Sequence, residues 1–179
     1  MRFPSKVVVA THNPGKLAEW RSLLTAMGVE AQSAADRSLP EPEETESTYR
    51  GNARLKARAA ADLTGLPAIA DDTGFEAAAL GNAPGVLTAP WAAQHGGYPR
   101  ALHEMIRRAG AGTQARLVCA VALATAEVVV VDEAFVAGTI RAAPSDAPGF
   151  AAILDAGAPL LRGGVLAHRR AAFEQLTSR

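Results

Sequence analysis

The chain has 179 residues, 49% of them hydrophobic and 5% aromatic, which suits one domain with a core of small aliphatic side chains. Its 18 Lys and Arg residues balance 18 Asp and Glu residues, and this excludes a general electrostatic attraction to nucleic acid or to membranes. A single cysteine, Cys119, excludes an internal disulfide. The sequence shows no leader pattern and no apolar stretch of membrane length, so we expect a cytoplasmic protein that binds neither nucleic acid nor a membrane.

The first half of the chain predicts strands and helices in alternation. Apolar, β-branched runs indicate the strands, and apolar positions at helical spacing indicate the helices. Gly28 and Gly65 end the two helices. We predict strands at 7–10, 31–33 and 68–70, helices at about 16–27 and 48–63, and a polar loop at 35–47.

The second half predicts more sheet. Residues 125–127 suit a hairpin between two long β-rich runs. We predict strands at 75–80, 115–124 and 128–140, a turn-rich segment at 81–85, and helices at about 98–109 and 168–176. There is no repeat or linker, so the sequence predicts a single domain over residues 1–179 with a mixed α/β sheet.

Two adjacent carboxylates, Asp71 and Asp72, directly follow the predicted strand at 68–70. In an open α/β sheet, ligands bind beyond the carboxyl ends of the strands. Two acids placed there can hold a divalent cation and orient a water for phosphate-ester chemistry. An Asx-type turn is the alternative, because Asp, Thr73 and Gly74 are turn formers.

Residues 10–16, which we call the N-terminal turn, lead from the first strand into the first helix. Free helical N–H groups at such a turn bind anions, and the helix dipole adds to the attraction. Thr11 and Asn13 would add hydrogen bonds, and Lys16 would add charge. The spacing is not that of a Walker P-loop, and an ordinary capped helix is the alternative.

Residues 41–46, which we call the acidic segment, carry four acids just before the second predicted helix. Compensation of the helix dipole is one explanation of that run. Asn52 and Lys56 lie four residues apart on this helix, so they share a face and could reach one ligand. An acid from the segment could then join Asp72 as a second metal ligand, since Mg²⁺ usually takes one or two carboxylates.

His168 and Arg169 stand side by side at the start of the last predicted helix. Both side chains can donate hydrogen bonds to a carbonyl or a phosphate. A solvated, charged helix end is the alternative explanation of this pair.

Taken together, these segments resemble the inosine triphosphate pyrophosphatase family. The resemblance covers residues 6–89 nearly without gaps. The family pattern T-x-N-x-G-K-x-x-E corresponds to Thr11, Asn13, Gly15, Lys16 and Glu19. A second pattern, E-E-T-x-x-T-[FY]-x-x-N-A-x-x-K-A, corresponds to Glu43, Glu44, Thr45, Thr48, Tyr49, Asn52, Ala53, Lys56 and Ala57. A third, L-P-A-I-A-D-D-[ST]-G, corresponds to residues 66–74.

The resemblance implies an enzyme that hydrolyses non-standard purine nucleoside triphosphates to the monophosphate and pyrophosphate. It implies an elongated mixed α/β sheet with flanking helices, two lobes around a central cleft, and a homodimer. Mg²⁺ would be held by Asp72 and by Glu43 or Glu44, and Asp72 with Asp71 would activate the attacking water. Lys56 would neutralise phosphate charge. The substrate would be bound by Thr11, Asn13, Gly15, Lys16, Asn52 and Thr73.

The C-terminal third departs from the family, whose G-F-G-Y-D-P-x-F stretch contacts the purine. Residues 149–155 replace that stretch and keep Phe150 as a stacking residue, without the tyrosine and the aspartate. A following element with a lysine is missing, and Pro90 replaces an arginine. His168 and Arg169, which would read the purine oxygen, are present. We therefore expect triphosphate hydrolysis with altered or relaxed base choice, because base discrimination depends on paired polar groups.

Two alternatives stay open at this point. One is a relative with a dedicated, modified nucleotide substrate. The other is a catalytically inactive nucleotide-binding or regulatory module, against which the full set of charged residues argues.

Overall fold

The computed structural model describes residues 3–178. Its helices are Pro14–Ala26 (α1), Tyr49–Thr64 (α2), Thr88–Gln94 (α3), Tyr98–Ala109 (α4) and Ala167–Thr177 (α5). Its strands are Lys6–Val9 (β1), Glu30–Ser33 (β2), Ala68–Ala77 (β3), Ala83–Gly85 (β4), Gln114–Ala124 (β5), Val129–Ile140 (β6), Leu154–Asp155 (β7), Leu161–Arg162 (β8) and Val165–Leu166 (β9). Within these residues, no helix combines the length and apolar character needed to cross a bilayer.

The main sheet is mixed, as the sequence predicts. Its strand order is β2-β1-β3-β5-β6-β7, and β4 pairs with β3. β1 pairs in parallel with β2 and with β3, whereas β4 and β7 pair antiparallel with β3 and β6. Parallel neighbours joined through helices, followed by antiparallel ribbons, give the predicted α/β class.

The chain divides into two compact units. Unit 1 comprises the residues up to Asp72, Cys119–Ala134, and the residues from Arg162 onward. Unit 2 comprises Thr73–Val118 and Phe135–Leu161. The prediction of one domain over residues 1–179, whose ends lie outside the described residues, stays a prediction.

The core of unit 1 packs helices α1 and α5 against the sheet. Trp20 is fully buried and meets Phe173 edge to face, with ring centroids 5.4 Å apart. Leu23 and Leu24 add the rest of the α1 face, at the helical spacing seen in the sequence. This packing fixes the face of α1 that also carries Lys16 and Glu19, which matters for the site.

Capping residues set the helix ends close to the predicted positions. The Asn13 side chain accepts a hydrogen bond from the Lys16 N–H and caps α1, and the Thr48 side chain does the same for the Gly51 N–H of α2. Gly65 ends α2 in the left-handed conformation at φ 66°, which glycine adopts without strain.

Strand β3 differs from the prediction. The sequence predicts two strands at 68–70 and 75–80, with an Asx-type turn after the first as the alternative, but one strand runs from Ala68 to Ala77 through both aspartates. Pairing with β1 at one end and with β4 at the other holds the backbone extended, and this outweighs the turn preference of the Asp-Thr-Gly sequence. The Asx-turn alternative is therefore wrong, and so is the placement of the acids beyond a strand end.

Besides a 3₁₀ helix at Ala78–Leu80, which replaces the end of the strand predicted at 75–80, unit 2 contains two short helical elements that the sequence pattern did not predict, α3 and a 3₁₀ helix at Gly149–Ile153. Neither has a side-chain cap, which is the signal that sequence reasoning relies on. The 3₁₀ helix carries Phe150, which stacks on Phe75 with centroids 5.0 Å apart and has Trp91 and Tyr98 at its edges. Aromatic packing is thus what orders this part of unit 2.

Replacing Gly138 with alanine is expected to destabilise the protein. An added Cβ would lie 2.2 Å from the backbone oxygen of Asp155 on the neighbouring strand β7, and backbone cannot move aside cheaply. We expect the free energy of unfolding to fall by about 1–3 kcal/mol, the usual cost of overpacking, as measured by urea denaturation. Ala137→Ser, at the exposed neighbouring position, should change it by less than about 0.5 kcal/mol, and equal effects of the two substitutions would contradict the clash.

Candidate functional site

Asp71 and Asp72 lie on opposite faces of β3, because successive side chains of a strand alternate. Asp71 faces α1 and α5, where it contacts Trp20 and Arg169. Asp72 faces α2, where it contacts Asn52. Adjacent in sequence, the two carboxylates therefore have separate sets of partners.

Asp71 is surrounded by cations and a hydrogen-bond donor. Its Oδ2 lies 2.8 Å from the Lys16 Nζ and 3.1 Å from the Arg169 Nη2, and its Oδ1 accepts a 2.8 Å hydrogen bond from the Trp20 indole. Burial acts to raise the pKa of this carboxyl, but the charges of Arg169, Lys16 and Lys56 outweigh it and hold the pKa well below the usual range. Asp71 is therefore ionised at neutral pH, and its oxygens are engaged.

Glu19 extends this arrangement from α1 to the start of α5. Its Oε2 lies 2.5 Å from the Arg169 Nη1 and accepts a 2.8 Å hydrogen bond from the Leu166 N–H. Lys16, Glu19 and Trp20 stand at i, i+3 and i+4, so they share one face of α1. The motif includes Glu19 but not Trp20. Their spacing from Lys16 is the sequence signal that could have identified both beside Asp71.

Asp72 has a different environment. Asn52 donates a 3.2 Å hydrogen bond to its Oδ2, and the Lys56 Nζ lies 3.6 Å from its Oδ1. Burial raises the pKa of Asp72, the charge of Glu44 adds to the rise, and Lys56 opposes it without cancelling it. Asp72 is thus the more basic of the two aspartates.

Glu44 and Asp72 share one cation. The Glu44 Oε1 lies 2.5 Å from the same Lys56 Nζ that faces Asp72. Burial acts to lower the pKa of Lys56, but Asp72, Asp71 and Glu44 together raise it, so the lysine is charged. Two carboxylates from different elements therefore reach one small cation, whereas Glu43 lies exposed on the acidic segment.

Asn52 is buried and contacts both Asp72 and the acidic segment. Its Oδ1 accepts a hydrogen bond from the Glu46 N–H, and its amide donates to Asp72. The side chain thus links the acidic segment to the strand. Both ends of the amide are thus engaged within the protein, and contact of Asn52 with a substrate stays a prediction.

The N-terminal turn is held by its own side chains. The Asn13 N–H donates to the Thr11 Oγ1 at 3.2 Å, while the Asn13 Oδ1 caps α1. A Cβ at Gly15 would approach that Oδ1 to 3.2 Å, a tight contact with the capping oxygen. The capped-helix explanation is thus correct, and it leaves Lys16 as the charged group of the turn. Phosphate binding by Thr11, Asn13 and Gly15 stays a prediction.

Arg169 is 2% exposed, so the solvated helix end proposed as the alternative is wrong. The side chain lies between Asp71 and Glu19 and supplies the counter-charge of these carboxylates. Its contact with a purine stays a prediction. The Asp71 oxygens are held by Lys16, Arg169 and Trp20, and its part in activating water stays a prediction.

The remaining predicted residues lie as follows. His168 is equally buried, and burial lowers its pKa to about 3, so it is neutral. Phe150 is inside unit 2, stacked on Phe75. Thr73 follows Asp72 on β3 and is partly exposed. Contact of His168, Phe150 or Thr73 with a substrate stays a prediction.

Comparisons with known proteins identify relatives. The model of the Ham1 family matches residues 7–151. A protein named dITP/XTP pyrophosphatase from Bradyrhizobium is 56% identical over 91 residues, which cover 51% of this chain and 42% of that relative. One of the same name from Rhodospirillum centenum is 49% identical over 123 residues, which cover 66% of this chain and 61% of the relative. The chain thus spans about two fifths to three fifths of the curated relatives it matches.

Solved structures agree with the fold over the whole chain. A HAM1 protein from Coxiella burnetii superposes with a TM-score of 0.82 at 31% identity, covering 98% of both chains. A nucleoside-triphosphatase, dITP/XTP pyrophosphatase, from Mycobacterium abscessus superposes with a TM-score of 0.67 at 34% identity, covering 97% of this chain and 95% of that one. The superpositions therefore extend beyond residue 151, where the match to the family model ends.

Replacing Arg169 with methionine is expected to cost about 3–5 kcal/mol of folding free energy, because it leaves buried carboxylates without their counter-charge. Urea denaturation measures the change. Arg170→Met removes the neighbouring side chain, which donates to the Arg162 carbonyl at a more exposed position, and should cost about 1 kcal/mol. Similar losses in both variants would show that Arg169 carries no special charge role.

The free energy of unfolding is expected to fall because of His168 as the pH is lowered from about 6.5 to about 3. In the folded chain its pKa is about 3, while an unfolded histidine titrates near its ordinary value of 6.5. In this window the unfolded state binds a proton that the folded state does not, so each pH unit removes about 1.4 kcal/mol. In His168→Gln, the slope of unfolding free energy against pH should decrease by about one proton relative to wild type. An unchanged slope would contradict the buried neutral imidazole.

Proposed function

The chain belongs to the Ham1 family, and we propose that it hydrolyses nucleoside triphosphates of non-standard purines to the monophosphate and pyrophosphate. The observation that carries this proposal is the Asp72–Lys56–Glu44 arrangement, in which two carboxylates flank one charged lysine. The names of the relatives support the reaction class.

The donor set fits a magnesium ion. Asp72 and Glu44 supply hard carboxylate oxygens, and both reach the same small cation, the Lys56 ammonium. Within residues 3–178, no cluster of three or more candidate metal ligands is found. Mg²⁺ typically takes one or two carboxylates and completes its shell with water and substrate phosphates. Glu44 is the favoured second ligand over Glu43, because it faces Asp72 across Lys56.

Charge balance supports the same conclusion. Glu19, Asp71, Asp72 and Glu44 meet three cationic side chains, those of Lys16, Lys56 and Arg169. A triphosphate would therefore approach a site with an excess of negative charge. Bound Mg²⁺ would reverse that sign and neutralise phosphate charge during the reaction.

The residues of the chain divide the remaining work. Asp72, with its raised pKa, orients the attacking water and takes up its proton. Lys56 places its positive charge beside the phosphates, and Lys16 supplies a second positive charge from the N-terminal turn. Asp71 holds Lys16 in place and takes no proton, because its own pKa is well below the usual range. No covalent intermediate is required.

A second candidate is a dedicated, modified nucleotide as substrate. The observation that favours it is the C-terminal stretch: the family match ends at residue 151, and residues 149–155 lack the family tyrosine and aspartate. The homodimer and the cytoplasmic location implied by the resemblance stay predictions. So does the absence of nucleic-acid and membrane partners.

Pyrophosphate release from a panel of nucleoside triphosphates with Mg²⁺ tests the proposal. Inosine, deoxyinosine and xanthosine triphosphates should be the best substrates, with adenosine and guanosine triphosphates as references. Turnover of a modified nucleotide alone would support the second candidate. Binding without turnover of any nucleotide would contradict hydrolysis and favour an inactive nucleotide-binding module.

Asp72→Asn should reduce the rate at least about 100-fold, the range for removal of a general base, with little change in the thermal transition. Asp62→Asn is the matched control, because Asp62 is an exposed acid on α2 and should leave the rate unchanged. An active Asp72→Asn enzyme would overturn the assignment of Asp72.

A further inference from the structure

The acidic segment has no regular secondary structure, so side chains must determine where Glu44 lies. Three hydrogen bonds that involve side chains are among the contacts that hold the segment and the residues just before it. Lys56 binds Glu44, and Asn52 accepts from the Glu46 N–H. The third contact comes from His12, in the N-terminal turn, whose Nε2 lies 2.9 Å from the Leu39 carbonyl oxygen.

The chemistry of this third contact is well defined. A carbonyl oxygen only accepts hydrogen bonds, so the His12 Nε2 must carry the proton and donate it. The other ring nitrogen, Nδ1, faces the Glu41 carboxylate at 3.9 Å. One imidazole therefore contacts both the backbone before the acidic segment and the segment's first acid.

The location of His12 lets this contact connect two segments that are far apart in sequence. It lies between Thr11 and Asn13, beside the two side chains that brace the N-terminal turn. The residues that line a small cavity include His12, Leu39 and Lys56. His12 thus joins the turn that presents Lys16 to the segment that presents Glu44.

We propose that His12 is a positioning residue that fixes the acidic segment to the N-terminal turn and so holds Glu44 beside Asp72 for the divalent cation. The proposal rests on the function proposed above. The consequence is coupling between two binding events. Phosphate bound at the N-terminal turn and a cation bound at Glu44 each order the segment on which the other depends, so each increases the affinity for the other.

Three substitutions isolate the hydrogen bond. His12→Ala removes it. His12→Gln places an amide donor near the position of Nε2 and should retain it, whereas His12→Asn ends near the position of Nδ1 and cannot reach the Leu39 carbonyl. His103→Ala is the control, because His103 is an exposed histidine on α4 in unit 2.

The first readout is hydrogen exchange of peptides spanning residues 39–46, without nucleotide or metal. Two amides report on this region, that of Leu39 just before the acidic segment and that of Glu46 within it, which donate to Ala34 and Asn52. In His12→Ala and His12→Asn these amides should exchange about two- to tenfold faster, the factor expected for one lost hydrogen bond. In His12→Gln and His103→Ala the exchange should match wild type.

The second readout is the Mg²⁺ concentration that gives half the maximal rate. It should rise about two- to tenfold in His12→Ala and His12→Asn and stay unchanged in His12→Gln. Unchanged exchange in His12→Ala, or equal effects of Ala and Gln, would overturn the proposal. Faster exchange with an unchanged Mg²⁺ requirement would also overturn it, since the contact would not serve the cation. If wild type releases no pyrophosphate at all, the proposed function fails, and the exchange series alone decides whether His12 holds the segment.

Discussion

The ionised carboxylate of Asp71, buried inside unit 1, is the constraint on which the rest of the site depends. A charge removed from water is costly unless cations and hydrogen-bond donors surround it. Lys16 and Trp20 from α1 and Arg169 from α5 meet that requirement. Arg169 is buried as well, so it needs Glu19, whose second contact is the Leu166 N–H before α5. Satisfying one charge therefore places two helices against β3.

Because Asp72 follows Asp71 on a strand, the same constraint determines where the second carboxylate points. The alternation of side chains directs it to α2, toward Asn52 and Lys56 and away from the cations that hold Asp71. The two neighbours consequently differ in protonation behaviour: the pKa of Asp71 lies well below the usual range, and that of Asp72 is raised. Two titratable groups with pKa values moved in opposite directions indicate a division of roles. The proposed roles follow this division, with Asp71 positioning Lys16 and Asp72 serving the metal and the proton.

The features that sequence reasoning predicted are those with local causes. The ends of α1 and α2 follow from Asn13, Thr48 and Gly65, whose capping geometry needs only neighbouring residues. Asp72, Glu44 and Lys56 could be proposed as one cluster because their motifs carry them. What the sequence did not predict depends on distant partners. The Asp-Thr-Gly run is extended because β1 and β4 pair with it, and Arg169 is buried because a carboxylate almost 100 positions away requires it. α3 has no side-chain N-cap, so no capping residue in the sequence predicts where this helix begins.

The role of Arg169 also changes what its presence says about substrate choice. His168 and Arg169 match the family pattern, whereas residues 149–155 depart from it. Taken alone, the match would indicate that recognition of the purine is retained. The buried ion pairs give Arg169 a sufficient reason to be present that involves no base. Its presence is therefore evidence for the Asp71 arrangement and thus for the phosphate half of the chemistry. Base choice has to be judged from other residues, and the groups missing between 149 and 155 favour relaxed discrimination, because a base edge without a polar partner is not distinguished.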